Sequence, residues 1–145
     1  SFKEIPYCFE AGTPAIESVI GFGAAIDYIN SIGYNFIENK SSELNAYFMS
    51  KLDLIKNFSI IFPIAENHVP IFTFKPCNNK IDLNYISRIL SDTYNIAVNS
   101  GYQCCQPLYK EFGFDGGIRS SLYIYNTKEE IDKFCDALNM VGKLM

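Results

Sequence analysis

The chain has 145 residues, 48% of them hydrophobic and 15% aromatic, which is enough apolar material for a cored domain and outside the range of a disordered chain. Its formal net charge is −4 and its basic residues are scattered, which excludes the basic face of a nucleic-acid binder and the cationic run that suits an anionic membrane. The longest apolar zone, Ala15 to Ile29, is broken by Glu17, Ser18 and Asp27, and falls short of the ~20 residues of a membrane helix. Residues 1–145 read as a single domain.

Residues 1 to 12 read as extended. Thr13-Pro14 then reads as an N-cap followed by proline at the first helical position. Ile16, Val19, Ile20, Ala24, Ile26 and Ile29 give this helix a broad apolar surface and predict deep burial, with Gly21 and Gly23 admitting a neighbouring backbone and Gly33 stopping the helix. A second helix is predicted from Tyr34 to Lys56, where Ile37, Leu44, Tyr47, Phe48, Leu52 and Ile55 recur at helical spacing. Strands are predicted at Phe58 to Phe62 and Val69 to Lys75, joined by the loop Ala65-Glu66-Asn67-His68. Asp82 caps a third helix with Leu83, Ile86, Ile89 and Leu90 on one face, and Asn95 suits a left-handed stop.

Ile96-Ala97-Val98 reads as the third strand. The segment Asn99 to Leu108 fits no regular element, and Ser121 to Tyr125 reads as the fourth strand. The last helix opens on the capping box Thr127-x-x-Glu130 and buries Ile131, Phe134, Cys135, Leu138 and Val141. This order predicts an α+β domain: a mainly antiparallel sheet of about four strands with helices on one face.

The five cysteines are Cys8, Cys77, Cys104, Cys105 and Cys135. An odd count, with no signal-peptide layout at Ser1-Phe2-Lys3-Glu4, points to a reducing, cytoplasmic compartment rather than a disulfide framework. There is no CxxC and the one histidine is His68, so no metal site is expected.

Three segments carry a family resemblance: Phe9-Glu10-Ala11-Gly12-Thr13-Pro14; Ile96-Ala97-Val98-x-x-Gly101-x-x-Cys104-x-x-Pro107-Leu108; and Ile118-Arg119-x-Ser121-x-Tyr123-x-Tyr125-Asn126-Thr127-x-Glu129-Glu130-Ile131-Asp132. In this order and spacing the chain resembles the C-terminal small domain of class V aminotransferase-fold enzymes, within the fold-type I pyridoxal-phosphate enzymes. Within that class it is most similar to the group II cysteine desulfurase and selenocysteine lyase branch, where the reactive cysteine follows the glycine on a short tether. The resemblance implies a longer enzyme whose large domain holds most of the cofactor, with this chain inactive alone. It implies a cytoplasmic homodimer that takes sulfur from L-cysteine, or selenium from selenocysteine. A sulfur-acceptor protein and iron–sulfur cluster assembly are implied downstream.

Residue by residue, the resemblance makes Cys104 the nucleophile. A thiolate there attacks the sulfur of cysteine held on the cofactor, leaving a persulfide and releasing alanine. Arg119 matches the arginine that grips the substrate carboxylate, a task for a planar two-pronged donor. Thr13 matches a contact to the cofactor phosphate of the partner subunit, with Gly12 allowing close backbone approach. Cys105 reads as packing, its side chain turned away from Cys104 in an extended segment. The sequence departs from the family at Asn99, where an arginine is usual, and at Tyr102 and Gln103, where histidines are common. The alternatives to desulfuration are another class V lyase or epimerase, or a small domain that binds a partner protein without catalysis.

Overall fold

Backbone pairing concentrates in four short strands. The structure, a computed structural model, describes residues 3–63, 68–78 and 81–144, so most of the predicted loop before His68 lies outside the described residues. Contacts divide the chain into residues 1–37 and 38–145, each described by itself.

In the first unit, Tyr7–Phe9 forms a single 3-10 turn with Phe9 N–H donating to the Pro6 carbonyl at 3.0 Å, so this stretch is not extended as expected. Helix α1 runs Ile16–Ile32. It begins later than Thr13-Pro14 predicts. Proline disfavours the helical region for the residue before it, and Ala15 at ψ 77° is the N-cap, with no side-chain hydrogen bond. The first helical bond runs from Val19 N–H to Ala15 at 3.1 Å. The helix stops at Gly33, whose φ of 86° requires glycine and whose N–H reaches Ile29 at 2.9 Å. The expected burial of α1 is overturned: none of its residues is buried, and Val19 and Ile20 are 65% and 68% exposed. Beyond the helix's own nearby backbone, no atom of the described residues lies within 4 Å of a side-chain carbon built on Gly21 or Gly23. Apolar periodicity reports which face can be covered; it does not supply the cover.

Helix α2 (Tyr34–Lys51) ends sooner than predicted, and a 3-10 turn at Leu52–Leu54 carries the chain on. In the second unit, strands β1 (Phe58–Ile60), β2 (Ile71–Pro76), β3 (Asn99–Gly101) and β4 (Gly117–Ser121) form one sheet in the order β1-β2-β4-β3, every pair antiparallel. Two strands are displaced from expectation. Ile96-Ala97-Val98 precedes β3, and β4 ends at Ser121, where the predicted Ser121 to Tyr125 strand begins; Ile124 and Tyr125 lie in a turn.

The two-residue period of β4 fixes what each face does. Phe74 opposite Ile118 and Phe72 opposite Ser120 point into the core. Leu44 and Phe48 of α2, Ile86 and Leu90 of α3 (Leu83–Tyr94), and Ile131, Phe134, Leu138 and Val141 of α5 (Lys128–Lys143) complete it. Phe48 packs edge-on to Phe134 with ring centroids 5.6 Å apart. The short helix α4 (Gln106–Glu111) belongs to the other face, where Tyr109 approaches Thr73 of β2.

Apart from Thr13, the predicted caps act as the sequence implies. Asp82 accepts from Asn84 N–H at 2.9 Å, Asn95 sits in the left-handed region at φ 54°, and Thr127 and Glu130 form both halves of the capping box. Between α2 and α5, Tyr47 donates to Asp132 at 2.8 Å and Lys51 pairs with the same carboxylate at 2.7 Å. Leu90→Ala is expected to destabilise by about 2–5 kcal/mol through loss of burial and a cavity, and Thr127→Ala by about 1 kcal/mol. Urea unfolding of the two variants measures both; equal effects would contradict this assignment of the core.

Candidate active site

Cys104 lies in the connection between β3 and α4. Gly101, the last residue of β3, has φ 93°, and Gly116 on the facing segment has φ 105°. A side-chain carbon on Gly116 would come within 3.0 Å of the Gly101 backbone, and one on Gly117 within 2.6 Å of Thr73 Cγ2. These glycines let the strands and the segment above them close together. The chain then reverses in a tight turn, with Cys105 N–H donating to the Tyr102 carbonyl at 2.8 Å. Both central residues, Gln103 at φ 47° and Cys104 at φ 58°, are left-handed. That combination is the mirror-image turn that usually takes asparagine or glycine, and left-handed backbone costs other residues roughly 1–2 kcal/mol each.

This geometry corrects two expectations. Asn99 to Leu108 contains a strand and a helix start, and Cys104-Cys105 is turned rather than extended. Cys104 is exposed and Cys105 half-buried. Cys105 is the N-cap of α4, its carbonyl accepting from Leu108 N–H at 3.1 Å, and Pro107 occupies the first turn, where its missing N–H costs nothing.

Gln103 ties the turn down. Its Nε2 donates to the Asn99 carbonyl at 3.3 Å and to the Gly117 carbonyl at 3.1 Å, and its Oε1 accepts the hydroxyl of Tyr109. Tyr109 is 2% exposed, wedged edge-on against Phe62 and Tyr102 with centroids 5.1 and 5.7 Å away. Burial pushes its phenol above the ordinary value, the Thr73 hydroxyl and the Arg119 charge pull the other way, and Cys105 adds to the rise. The hydroxyl therefore keeps its proton, as a donor to Gln103 must.

Arg119 sits in the middle of β4, not at the opening of a strand. It is paired with Thr73 on one side and Asn99 on the other, on the face opposite the core. It is half-buried, its Nε is enclosed with no hydrogen-bond partner, and it joins no ion pair among the described residues. Its field and that of Cys105 both reach Tyr109. The structure thus brings the Cys104 turn and the Arg119 guanidinium to one sheet face, joined through Tyr109. A guanidinium without a protein carboxylate is suited to a carboxylate from outside.

Thr13 and Gly12 belong to the first unit. Among the described residues, Thr13 is exposed, makes no hydrogen bond and does not cap α1, and nothing lies within 4 Å of a side-chain carbon at Gly12. A free hydroxyl two residues before the N-cap of a 17-residue helix fits an anionic phosphate. A cleft of about 340 Å³ lined by Ile96, Val98, Ser121, Tyr125, Asn126 and Lys133 opens at the far end of β4 from Gly117 and Gly101, away from the Cys104 turn. Among the described residues no cluster of His, Cys, Asp or Glu could hold a metal, and no helix is long and apolar enough to cross a membrane.

Sequence reasoning missed Gln103 and Tyr109 as parts of this site. Gln103 was visible only as a replacement for histidine, and nothing in the spacing reveals that its amide reaches two strands.

Comparison with known proteins places these features in context. The aminotransferase class-V family profile matches residues 1–134. A probable cysteine desulfurase from Staphylococcus epidermidis is 35% identical over 95% of this chain and 33% of its own length. Another from Xylella fastidiosa is 38% identical over 99% of this chain and 34% of its own length. The apo structure of a cysteine desulfurase from Thermococcus onnurineus covers 100% of this chain with 36% of its own, at a TM-score of 0.87 and 31% identity. The cysteine desulfurase CsdA of Escherichia coli, in an S-sulfonic acid form, covers 99% with 34% of its own chain, at a TM-score of 0.85 and 27% identity. The chain spans about a third of the length of these curated relatives.

The cysteines should separate by reactivity. Cys135 is 3% exposed and burial pushes its thiol up to about 11. Below that value it is an un-ionised, enclosed thiol, so at about pH 8 an alkylating reagent should label Cys104 in the native protein and reach Cys135 only after denaturation. Peptide mass spectrometry reads the order, and native labelling of Cys135 as fast as Cys104 would contradict it.

Proposed function

Because the chain belongs to the aminotransferase class-V family, we propose that it is the small-domain part of a pyridoxal-phosphate-dependent cysteine desulfurase in which Cys104 receives sulfur from L-cysteine. The observation that carries this reading is the exposed Cys104 on a left-handed turn, on the same sheet face as an Arg119 that no carboxylate of the described residues neutralises. Each residue has a role that its chemistry suits.

Arg119 binds the α-carboxylate of cysteine and fixes where the substrate sulfur lies relative to the turn. Cys104, as thiolate, forms an S–S bond to that sulfur. The carbon–sulfur bond breaks, its electron pair stays with carbon, and the carbon takes up a proton to become the methyl group of alanine. Pyridoxal phosphate, when bound, supplies the electron sink that makes this bond cleavage feasible. Thr13 and Gly12, before the amino end of α1, contact its phosphate within a homodimer. Asn99, Tyr102 and Gln103 place no charge and no imidazole beside the thiol, which lies exposed at the turn. The persulfide, exposed for the same reason, can pass its outer sulfur to an acceptor protein for uses such as iron–sulfur cluster assembly. Selenocysteine satisfies the same carboxylate contact and is the alternative substrate. A cytoplasmic setting suits a reactive thiol that must stay reduced.

In the full-length protein, Cys104→Ser should lower alanine formation from cysteine by at least ~100-fold, because a hydroxyl is a poor nucleophile toward sulfur, while the cofactor absorbance is kept. Cys105→Ser should retain most activity. Arg119→Lys should raise KM for cysteine by about tenfold through loss of the two-pronged contact. Steady-state alanine assays of the three variants decide the matter, and a fully active Cys104→Ser would overturn the reading.

A further inference from the structure

We propose that Gln103 and Tyr109 are positioning residues for the sulfur-accepting step, forming a latch that holds Cys104 in its left-handed turn at the mouth of the site; this rests on the reading of Cys104 as the sulfur acceptor. The case begins with the backbone. Neither Gln103 nor Cys104 favours positive φ, yet both adopt it, at 47° and 58°. Sparsely populated backbone persists when surrounding contacts over-determine it. The one hydrogen bond of the turn itself, Cys105 N–H to Tyr102, leaves its tip free to swing as a unit.

The side chain of Gln103 removes that freedom. Nε2 bridges the carbonyls of Asn99 on β3 and Gly117 on β4, and Oε1 accepts a hydrogen bond from the Tyr109 hydroxyl. Donors and acceptor of the amide are thus all engaged, which fixes which way the amide faces. Tyr109 is in its turn buried against Phe62 and Tyr102 on α4's side of the sheet. The residue before Cys104 is therefore anchored to two strands and a helix, and the thiol is carried one residue beyond that anchor. The hydrogen bonds of the latch do not involve the thiol, so it acts through geometry. A histidine at position 103 would have a ring nitrogen on each side but no two-proton amide to span both carbonyls. Gln103 and Tyr109 form a matched pair: one accepts only because the other stays protonated. Near-attack alignment is steep in distance, so loosening the latch should be felt in the chemical step and not in substrate binding, which Arg119 governs.

The test uses the full-length protein. Tyr109→Phe keeps the ring and its packing and removes the hydroxyl that donates to Gln103 and meets Thr73; Gln103→Ala removes the whole latch. Each should lower kcat for alanine formation by about tenfold with KM for cysteine unchanged, and the double variant should be no slower than Gln103→Ala, as expected of residues acting in one unit. Amide exchange across 99–109 should quicken in both variants while that of α3 stays as it was, a readout independent of the cofactor. Wild-type kcat in both single variants, alongside an inactive Cys104→Ser, would overturn the latch and leave the nucleophile assignment standing. Faster exchange with unchanged kcat would reduce Gln103 and Tyr109 to structural residues and also overturn it. An active Cys104→Ser would remove the nucleophile reading and the latch with it.

Discussion

Strand β4 has to serve two faces at once. Its alternation sends Ile118 and Ser120 into the helical core and leaves Arg119 on the other side, and a slip of one residue would exchange them. The register is held from both edges. Phe74 and Phe72 of β2 demand Ile118 and Ser120 opposite them, and β3 pairs Gly101 with Gly117, where a side chain would collide with Thr73. The core thus decides where the arginine points. The site on the outer face follows from packing on the inner one.

Glycine makes the second part of the arrangement possible. Gly101, Gly116 and Gly117 bring the strand ends near enough for one glutamine side chain to reach carbonyls on both β3 and β4. With that span available, the turn carrying Cys104 can remain in a backbone region its residues do not favour. Local strain at the turn tip is offset by hydrogen bonds made a residue away, and the exposed thiol is one outcome of that balance. The same face leaves the Arg119 guanidinium without an ion-pair partner among the described residues.

The sequence carried the parts of the fold that depend on local chemistry. Asp82, Asn95, Gly33 and the pair Thr127 and Glu130 act at their helix ends as their side chains and backbone preferences dictate. The antiparallel four-stranded sheet of an α+β domain was legible in the alternation of helical and strand-like runs. What failed was whatever depends on partners distant in sequence. Ile96-Ala97-Val98 has the composition of a strand, but Asn99-Ser100-Gly101 lies beside β4, because pairing is chosen by the neighbour and not by hydrophobicity. The apolar stripe of α1 was read correctly as a stripe and wrongly as buried. Thr13 had the composition of a cap, and the helix begins beyond it. At the site, Cys104 and Arg119 could be picked out by motif; Gln103 and Tyr109 could not, since an amide bridging two carbonyls leaves no periodic trace.

The account stands or falls on which sulfur atom of the protein is modified first. Full-length protein mixed with limiting L-cysteine, trapped after one turnover and digested, should show one added sulfur on the peptide carrying Cys104, with fragmentation locating it on that residue. The added sulfur on Cys105 or Cys77, with Cys104 unmodified, would contradict the account, because the exposed thiol carried at the centre of the left-handed turn would then not be the sulfur acceptor.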